Sequence, residues 1–370
     1  MSEIRERVES FEPNEDKLSY DHVLSIDEII DLINTSPDYD FIKSDPHLGE
    51  KRLALLGLGG SYAYGTARPG SDVDIRGIAL NSKEEILRGT DFEQVVDTNT
   101  DTTIYSLKKM VNLLLSNNPN TLEILGLGLG QIVYANFEVF QEMKELEEAF
   151  LSKRVIRTFG GYSQTQLRRL QNSSASVLGE EQRENHILTS IAFAEDEFKK
   201  QYQKIDTDKL RLYVDKSEKE DHEAEIFIDV SVNHYPLRDF TGYINVFHGV
   251  VREYDKVSDT KRNRRAKLKG KISKHSMHLV RLYHMCFDIL ENHRVITYRK
   301  DDHDLLMRIR NGEFIDDNEQ PLPEFYEMVD RLEDRLKELS KTTTLPDEPD
   351  YERVYKWLES VNERIVLGLL

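Results

Sequence analysis

The chain has 370 residues, a formal net charge of -18, 38% hydrophobic residues and 32% charged residues. That length accommodates two or three domains, and the composition lies within the globular range. The charge excludes a protein whose average field coats polyanions, so a nucleotide or nucleic acid must be met by a local basic patch or through metal ions. No apolar run approaches the ~18 residues of a membrane span. The start, Met1-Ser2-Glu3-Ile4-Arg5-Glu6, has no apolar segment behind it, which argues against a signal peptide. Cys286 is the single cysteine; this excludes an intrachain disulfide and a cysteine zinc cluster, and fits a reducing, cytoplasmic setting.

Residues 1–50 read as polar segments around one short amphipathic helix, with Val23, Ile26, Ile29, Ile30, Leu32 and Ile33 as its apolar positions. The compact apolar run Arg52 to Leu58 ends in glycines and reads as a buried strand. A small-residue segment, Ser61 to Thr66, and a Pro69-Gly70 turn follow. The sequence predicts a second strand over Asp72–Leu80, a third around Thr102–Tyr105, and a helix near Leu107–Leu115. Strands joined by helical pieces over 50–130 indicate a small mixed α/β domain.

From about 137 the pattern turns helical, with 3.6-residue periodicity in Phe140–Phe150, Arg154–Gln171, Glu184–Gln203 and His275–Asn292. One β interruption stands out. Leu210–Val214 and Ile226–Val230 flank the charged stretch Asp215–Glu225 and read as a hairpin with an exposed loop. Charged helices at Leu322–Ser340 and Tyr351–Leu369 close the chain, separated by a break at Leu345-Pro346. The expected organisation is α+β, with one domain over 1–135 and a mainly helical one over 136–370.

Asp72 and Asp74 lie two apart on an expected strand, so both carboxylates project from one face. Two carboxylates held that close repel unless a cation separates them, and Mg²⁺ suits oxygen ligands and phosphate oxygens alike. Such a pair can hold two ions, one activating an attacking hydroxyl and one neutralising a leaving pyrophosphate. Gly60 permits close backbone approach and Ser61 adds a hydroxyl, and a helix starting there would aim N–H groups at phosphates. Asp-x-Asp and Gly-Gly-Ser are each weak signals. Their order carries the information: apolar strand, glycines with serine, small-residue helix, Pro-Gly-Ser turn, acidic strand.

The run Gly59-Gly60-Ser61-Tyr62-Ala63-Tyr64-Gly65-Thr66, followed by Pro69-Gly70-Ser71-Asp72-Val73-Asp74-Ile75-Arg76-Gly77, resembles the signature of DNA polymerase β-like nucleotidyltransferases. More narrowly, it resembles the branch of predicted nucleotidyltransferases associated with RNA ligase and RNA repair. Tyr105–Lys109, Asn117–Glu123, Phe159–Tyr162 with Gln166 and Arg169, Lys274–Arg281 and Arg308–Glu313 extend that resemblance over roughly residues 50–315. The resemblance implies a polymerase β-like palm followed by a helical substrate-binding region. It makes Asp72 and Asp74 catalytic metal ligands for Mg²⁺ or Mn²⁺, with two ions. A third carboxylate is expected from a later strand: Asp101, with Asp97 as the alternative. It further implies nucleotide binding by Gly60, Ser61, Thr66, Arg76, Lys274, His278 and Arg281.

The implied reaction moves a nucleoside monophosphate from a nucleoside triphosphate to a hydroxyl, an RNA end being the acceptor that the branch suggests, with pyrophosphate released. The alternatives are a protein or small-molecule acceptor, or a module that binds nucleotide or RNA without turnover.

Lys261–Lys274 carries basic residues throughout and no acidic one, which marks it for triphosphate or RNA backbone rather than a solvated helix end. It lacks interleaved aromatics for base stacking. His275 and His278 fall i,i+3 on a helix without a third ligand at zinc spacing, so a polar, phosphate-facing helix is the better reading. Asp301-Asp302-His303-Asp304 reads as a helix N-cap with an acidic first turn. Asn117-Asn118-Pro119-Asn120 reads as the end of one helix and the start of the next, and Cys286 as a packed thiol.

Overall fold

Leu53–Leu58 (β1) is buried at every position, as its uninterrupted apolar sequence requires of a strand covered on both faces. The computed structural model describes residues 20–48, 52–175, 210–216, 224–230, 271–316 and 320–370. With β2 (Ile75–Ala79), β3 (Gln94–Asp97), β4 (Thr102–Ser106) and β5 (Ile132–Ala135), β1 forms a five-stranded mixed sheet in the order β3-β4-β2-β1-β5. β2 and β4 are parallel; the other neighbours are antiparallel. This is the α+β class expected from the sequence.

Two parts of the strand reading are corrected. The expected strand Asp72–Leu80 begins its ladder only at Ile75, so Asp72 and Asp74 lie in the segment leading into β2. Burial nevertheless alternates across Asp72 (exposed), Val73 (buried), Asp74 (half-buried) and Ile75 (buried), so the two carboxylates do share a face. The short strands β3 and β5 add to the expected set; four residues carry little periodicity in sequence.

Local signals place the helices well. Ser25 and Glu28 form a capping box at the start of Ile26–Thr35. Ser106 Oγ accepts from Lys109 N and opens Leu107–Leu115, whose buried residues Met110, Val111, Leu114 and Leu115 join the sheet core. The single helix expected over Phe140–Phe150 divides into Phe137–Glu145 and Glu147–Phe150. Arg154–Ala175, Lys271–Asn292, Pro323–Thr342 and Tyr351–Leu367 follow the expected periodicity. β6 (Leu210–Lys216) and β7 (Ala224–Val230) pair as the antiparallel hairpin. The expected helix Glu184–Gln203 lies outside the described residues, as do positions 217–223 of the charged loop and 261–270 of the basic segment.

The chain resolves into two compact units, one of 1–163, 280–307 and 330–370 and the other of 164–279 and 308–329. The first of these units is built from three stretches of chain and the second from two. Within that unit, Trp357 from the last helix meets Phe150 edge-on at 6.4 Å and donates Nε1–H to Glu142 at 2.9 Å. Arg299 is 4% exposed and paired with Asp288 and Asp302, and Asp302 accepts from His284 Nδ1 at 2.8 Å. Asp302 thus sits at the expected helix start while its carboxylate serves an ion-pair cluster. Among the described residues, no helix is long and apolar enough to cross a membrane.

Asn117 ends its helix in the left-handed region (φ 53°) and is fully buried. Its amide donates to Leu114 O (2.9 Å) and Phe150 O (2.6 Å), and its Oδ1 accepts from Ser152 N (3.2 Å) and Oγ (2.8 Å). Removing it leaves several buried groups unpaired, so Asn117→Ala is expected to lower stability by about 2–4 kcal/mol in urea denaturation. Asp302 has its pKa lowered from 3.8 to about 2: His284 and Arg299 hydrogen bonds outweigh the opposing, largest effect of burial. A depressed carboxylate stabilises the fold above its unfolded pKa and loses that contribution as pH falls through the folded one. Burial raises neighbouring Asp288 despite Arg299, which opposes the effect. The stability gap between wild type and Asp302→Asn, on the order of 2 kcal/mol at pH 6, is therefore expected to close between about pH 4 and pH 2; urea titrations across that window check it.

Candidate active site

The site grows from the end of the β1–β2 ladder. Gly57 pairs with Arg76 and Leu58 with Ile75, and Gly59 N then donates to Asp74 O at 2.7 Å, carrying the pairing one step past the strands. Gly60 follows at φ +55°, a region open to glycine and costly for other residues. A Cβ on Gly60 would overlap Asp74 Oδ2 and stand 2.8 Å from Asp74 Cγ. The Asp74 carboxylate therefore lies directly against backbone at the start of the helix Gly60–Tyr64. Ser61, the next residue, is half-buried.

Arg76 is the cation of this corner. Its Nη2 stands 3.8 Å from Asp74 Oδ1, and its Nη1 donates to Asp101 O at 2.7 Å and Ile75 O at 3.0 Å. Parallel pairing of Ile75 with Thr102 puts Asp74 and Asp101 at the entries of adjacent strands. Asp101 adopts φ 49°. Asp97, the alternative third carboxylate, closes β3; its Oδ1 accepts from Thr100 N (2.8 Å) and Thr100 Oγ1 (2.9 Å) and so shapes the turn into β4.

The structure brings Gly60, Ser61, Asp74, Arg76 and Asp101 to this corner, with Asp72 two residues before Asp74. Thr66 is different: it is fully buried and its Oγ1 has no hydrogen-bond partner among the described residues. Arg281 is 5% exposed, its guanidinium 3.6 Å over the Tyr64 ring. Both lie inside the unit rather than on an open surface. Lys274 is exposed and His278 half-buried on the helix Lys271–Asn292, within the second unit.

Sequence reasoning gave Glu123 no role of its own. It is 5% exposed, and it accepts the Tyr64 hydroxyl proton in a hydrogen bond. Burial raises its pKa, while Arg281, the Tyr64 hydrogen bond and Arg76 oppose that shift. Burial likewise pushes Tyr64 well above its ordinary value. The available signal was a lone acidic residue beside the apolar run Ile124-Leu125.

Asp72 and Asp74 are hard oxygen donors on one face, which fits a divalent cation such as Mg²⁺. Among the described residues, no group of three or more His, Cys, Asp or Glu side chains is arranged to hold a metal ion. Asp101 stands at the entry of the neighbouring strand, its carbonyl accepting from Arg76.

Residues 42–186 match the family described as RNA repair pathway DNA polymerase beta family (RlaP). The match covers β1 to β5 and the whole Gly59–Asp74 motif, so the resemblance to the polymerase β-like, RNA-repair branch holds over that stretch. A comparison with curated proteins gives no match.

The contact between Gly60 and Asp74 can be broken by one methyl group. Gly60→Ala is expected to keep the sheet but lose about 1–3 kcal/mol through backbone strain and to displace the Asp74 carboxylate. Thermal denaturation together with electron paramagnetic resonance of added Mn²⁺ checks this; unchanged Mn²⁺ affinity in a folded variant would contradict the role given to the contact.

Proposed function

We propose that this chain is a metal-dependent nucleotidyltransferase that transfers a nucleoside monophosphate from a nucleoside triphosphate to a hydroxyl, with an RNA end as acceptor. The observation that carries the reading is the Asp74 carboxylate seated on the Gly59-Gly60 backbone, with Asp72 on the same face. The match to a polymerase β family of RNA repair supports the reaction class, and the basic segment Lys261–Lys274 supports RNA as the acceptor.

In the reaction, the acceptor oxygen forms a bond to the α-phosphorus, the bond from that phosphorus to the pyrophosphate oxygen breaks, and the hydroxyl proton is lost to a base. Asp72 and Asp74 would hold Mg²⁺ or Mn²⁺, and the reading assigns Asp101 to the third carboxylate. Polymerase β-like nucleotidyltransferases generally use divalent metals, which supply charge neutralisation at the phosphates and a more acidic hydroxyl. The chain's own share is positioning. Gly60 lets backbone come close, Ser61 offers a hydroxyl to the triphosphate, and Arg76 offsets the negative charge of the carboxylates. By resemblance alone, Lys274 and His278 are assigned to phosphate contact. Thr66 and Arg281, buried as they are, act by supporting the motif from behind.

The test is incubation with each α-labelled nucleoside triphosphate, Mg²⁺ or Mn²⁺, and RNA, DNA and protein acceptors. Label is expected on RNA and lost by at least about 100-fold in Asp72→Ala and Asp74→Ala. Asp101→Ala is expected to lose activity at near-normal stability, whereas Asp97→Ala loses stability through the Thr100 turn. Label on protein would move the acceptor. Label nowhere in wild type, with the double aspartate variant indistinguishable from it, would remove the reading.

A further inference from the structure

The proposed chemistry leaves one buried group unused. Glu123 lies in the short turn Glu123–Gly126, far from solvent, and a carboxylate there needs compensation by charge and hydrogen bonds. Two side chains provide it, and a third holds the backbone of the same residue. The Tyr64 hydroxyl donates to its carboxylate. Thr297 Oγ1 donates to its main-chain oxygen at 2.6 Å. Arg281, 3.6 Å over the Tyr64 ring, is the charge that most offsets its burial. Arg281 is itself committed: Nη1 donates to Met285 Sδ at 2.9 Å, while Nε has no hydrogen-bond partner among the described residues. Both groups are buried at Tyr64, the guanidinium over its ring and the carboxylate on its hydroxyl, and opposite charges so placed lessen the penalty of burial.

Tyr64 is what gives this cluster a target. It is the last residue of the helix that begins at Gly60 and Ser61, and that helix is only five residues long. So short a helix has little stability of its own. Its placement depends on what holds its two ends. Gly59 N on Asp74 O fixes one end; the Tyr64 ring and hydroxyl fix the other, with Arg299 N donating to Tyr64 O at 3.1 Å.

We propose that Glu123 is a positioning residue of the nucleotide site, fixing the helix Gly60–Tyr64 through the Tyr64 hydroxyl, with Arg281 as the buried cation that balances it. The inference rests on the nucleotidyltransferase reading and deepens it: residues that cannot touch substrate decide where Gly60 and Ser61 stand.

Full-length wild type, Glu123→Gln and Tyr64→Phe distinguish this from a merely structural role. Two quantities are measured: amide hydrogen exchange of peptides covering 59–66, and affinity for α,β-methylene ATP with Mn²⁺ by calorimetry. Tyr64→Phe removes only the hydroxyl and keeps the ring under Arg281, so it is the variant that is expected to fold normally. Each variant is expected to speed exchange over 59–66 and weaken the analogue about tenfold, an order-of-magnitude figure for one lost positioning contact. The double variant is expected to be no worse than either alone, because both cut the same link. Lower melting temperature with unchanged local exchange and unchanged affinity would overturn the proposal and leave Glu123 a stabiliser. Faster local exchange in the variants, with wild type binding no analogue, would overturn the nucleotide reading and Glu123's role in it together.

Discussion

The close approach of the Gly59-Gly60 backbone to Asp74 is the constraint from which the rest of the site follows. It is an extension of the β1–β2 ladder by one hydrogen bond, Gly59 N to Asp74 O, beyond the last paired residues Leu58 and Ile75. That extension forces the chain to turn out of the sheet at once, and only a residue without a Cβ can do so at φ +55° with a carboxylate where the Cβ would stand. The glycines thus act less as flexible joints than as the absence of atoms. Their space is filled by the Asp74 side chain.

A carboxylate pair in a chain of net charge -18 needs a nearby cation as part of the fold. Arg76 has that position. It projects from the strand that follows Asp74, and its second nitrogen is spent on the carbonyl of Asp101, just before the neighbouring parallel strand. One guanidinium therefore does two things: it offsets charge at Asp74 and ties the entry of β4 to the entry of β2. Lysine could supply the first role but not both, because only the planar fork reaches a carboxylate and two carbonyls from one side chain.

The sequence made local features legible and left non-local ones hidden. The glycine, serine and aspartate pattern could be read because its parts lie within sixteen residues and each has a local physical meaning. The helices beginning at Ile26 and Leu107 could be read from apolar spacing, and the turn at Asn117 from its residue types. The Asp72–Leu80 stretch looks longer than its strand, since alternation of burial starts before the hydrogen-bonded ladder does. Asp302 has the sequence setting of a cap, although its carboxylate is claimed by Arg299 and His284. Glu123 could not be found: its significance lies in Tyr64, 59 residues before it, and in Arg281, on a helix that begins at Lys271. No window along the chain contains that relation.

The same relation bears on where the domain that carries the Gly59–Asp74 motif ends. The family match stops at residue 186, yet the first compact unit takes back 280–307 and 330–370. What those returning segments contribute is specific. Arg281 balances the buried Glu123, Thr297 holds the Glu123 carbonyl, and Arg299 N meets the carbonyl that ends the Gly60–Tyr64 helix. Lys153 N finds its acceptor on Pro346, and Trp357 covers Phe150. A chain ending with the family match would keep every residue of the Gly59–Asp74 motif and still leave a buried carboxylate without its cation, a cost that unpaired interior charge makes large. The motif is contiguous in sequence, but the environment that keeps it in place is assembled from the far end of the chain.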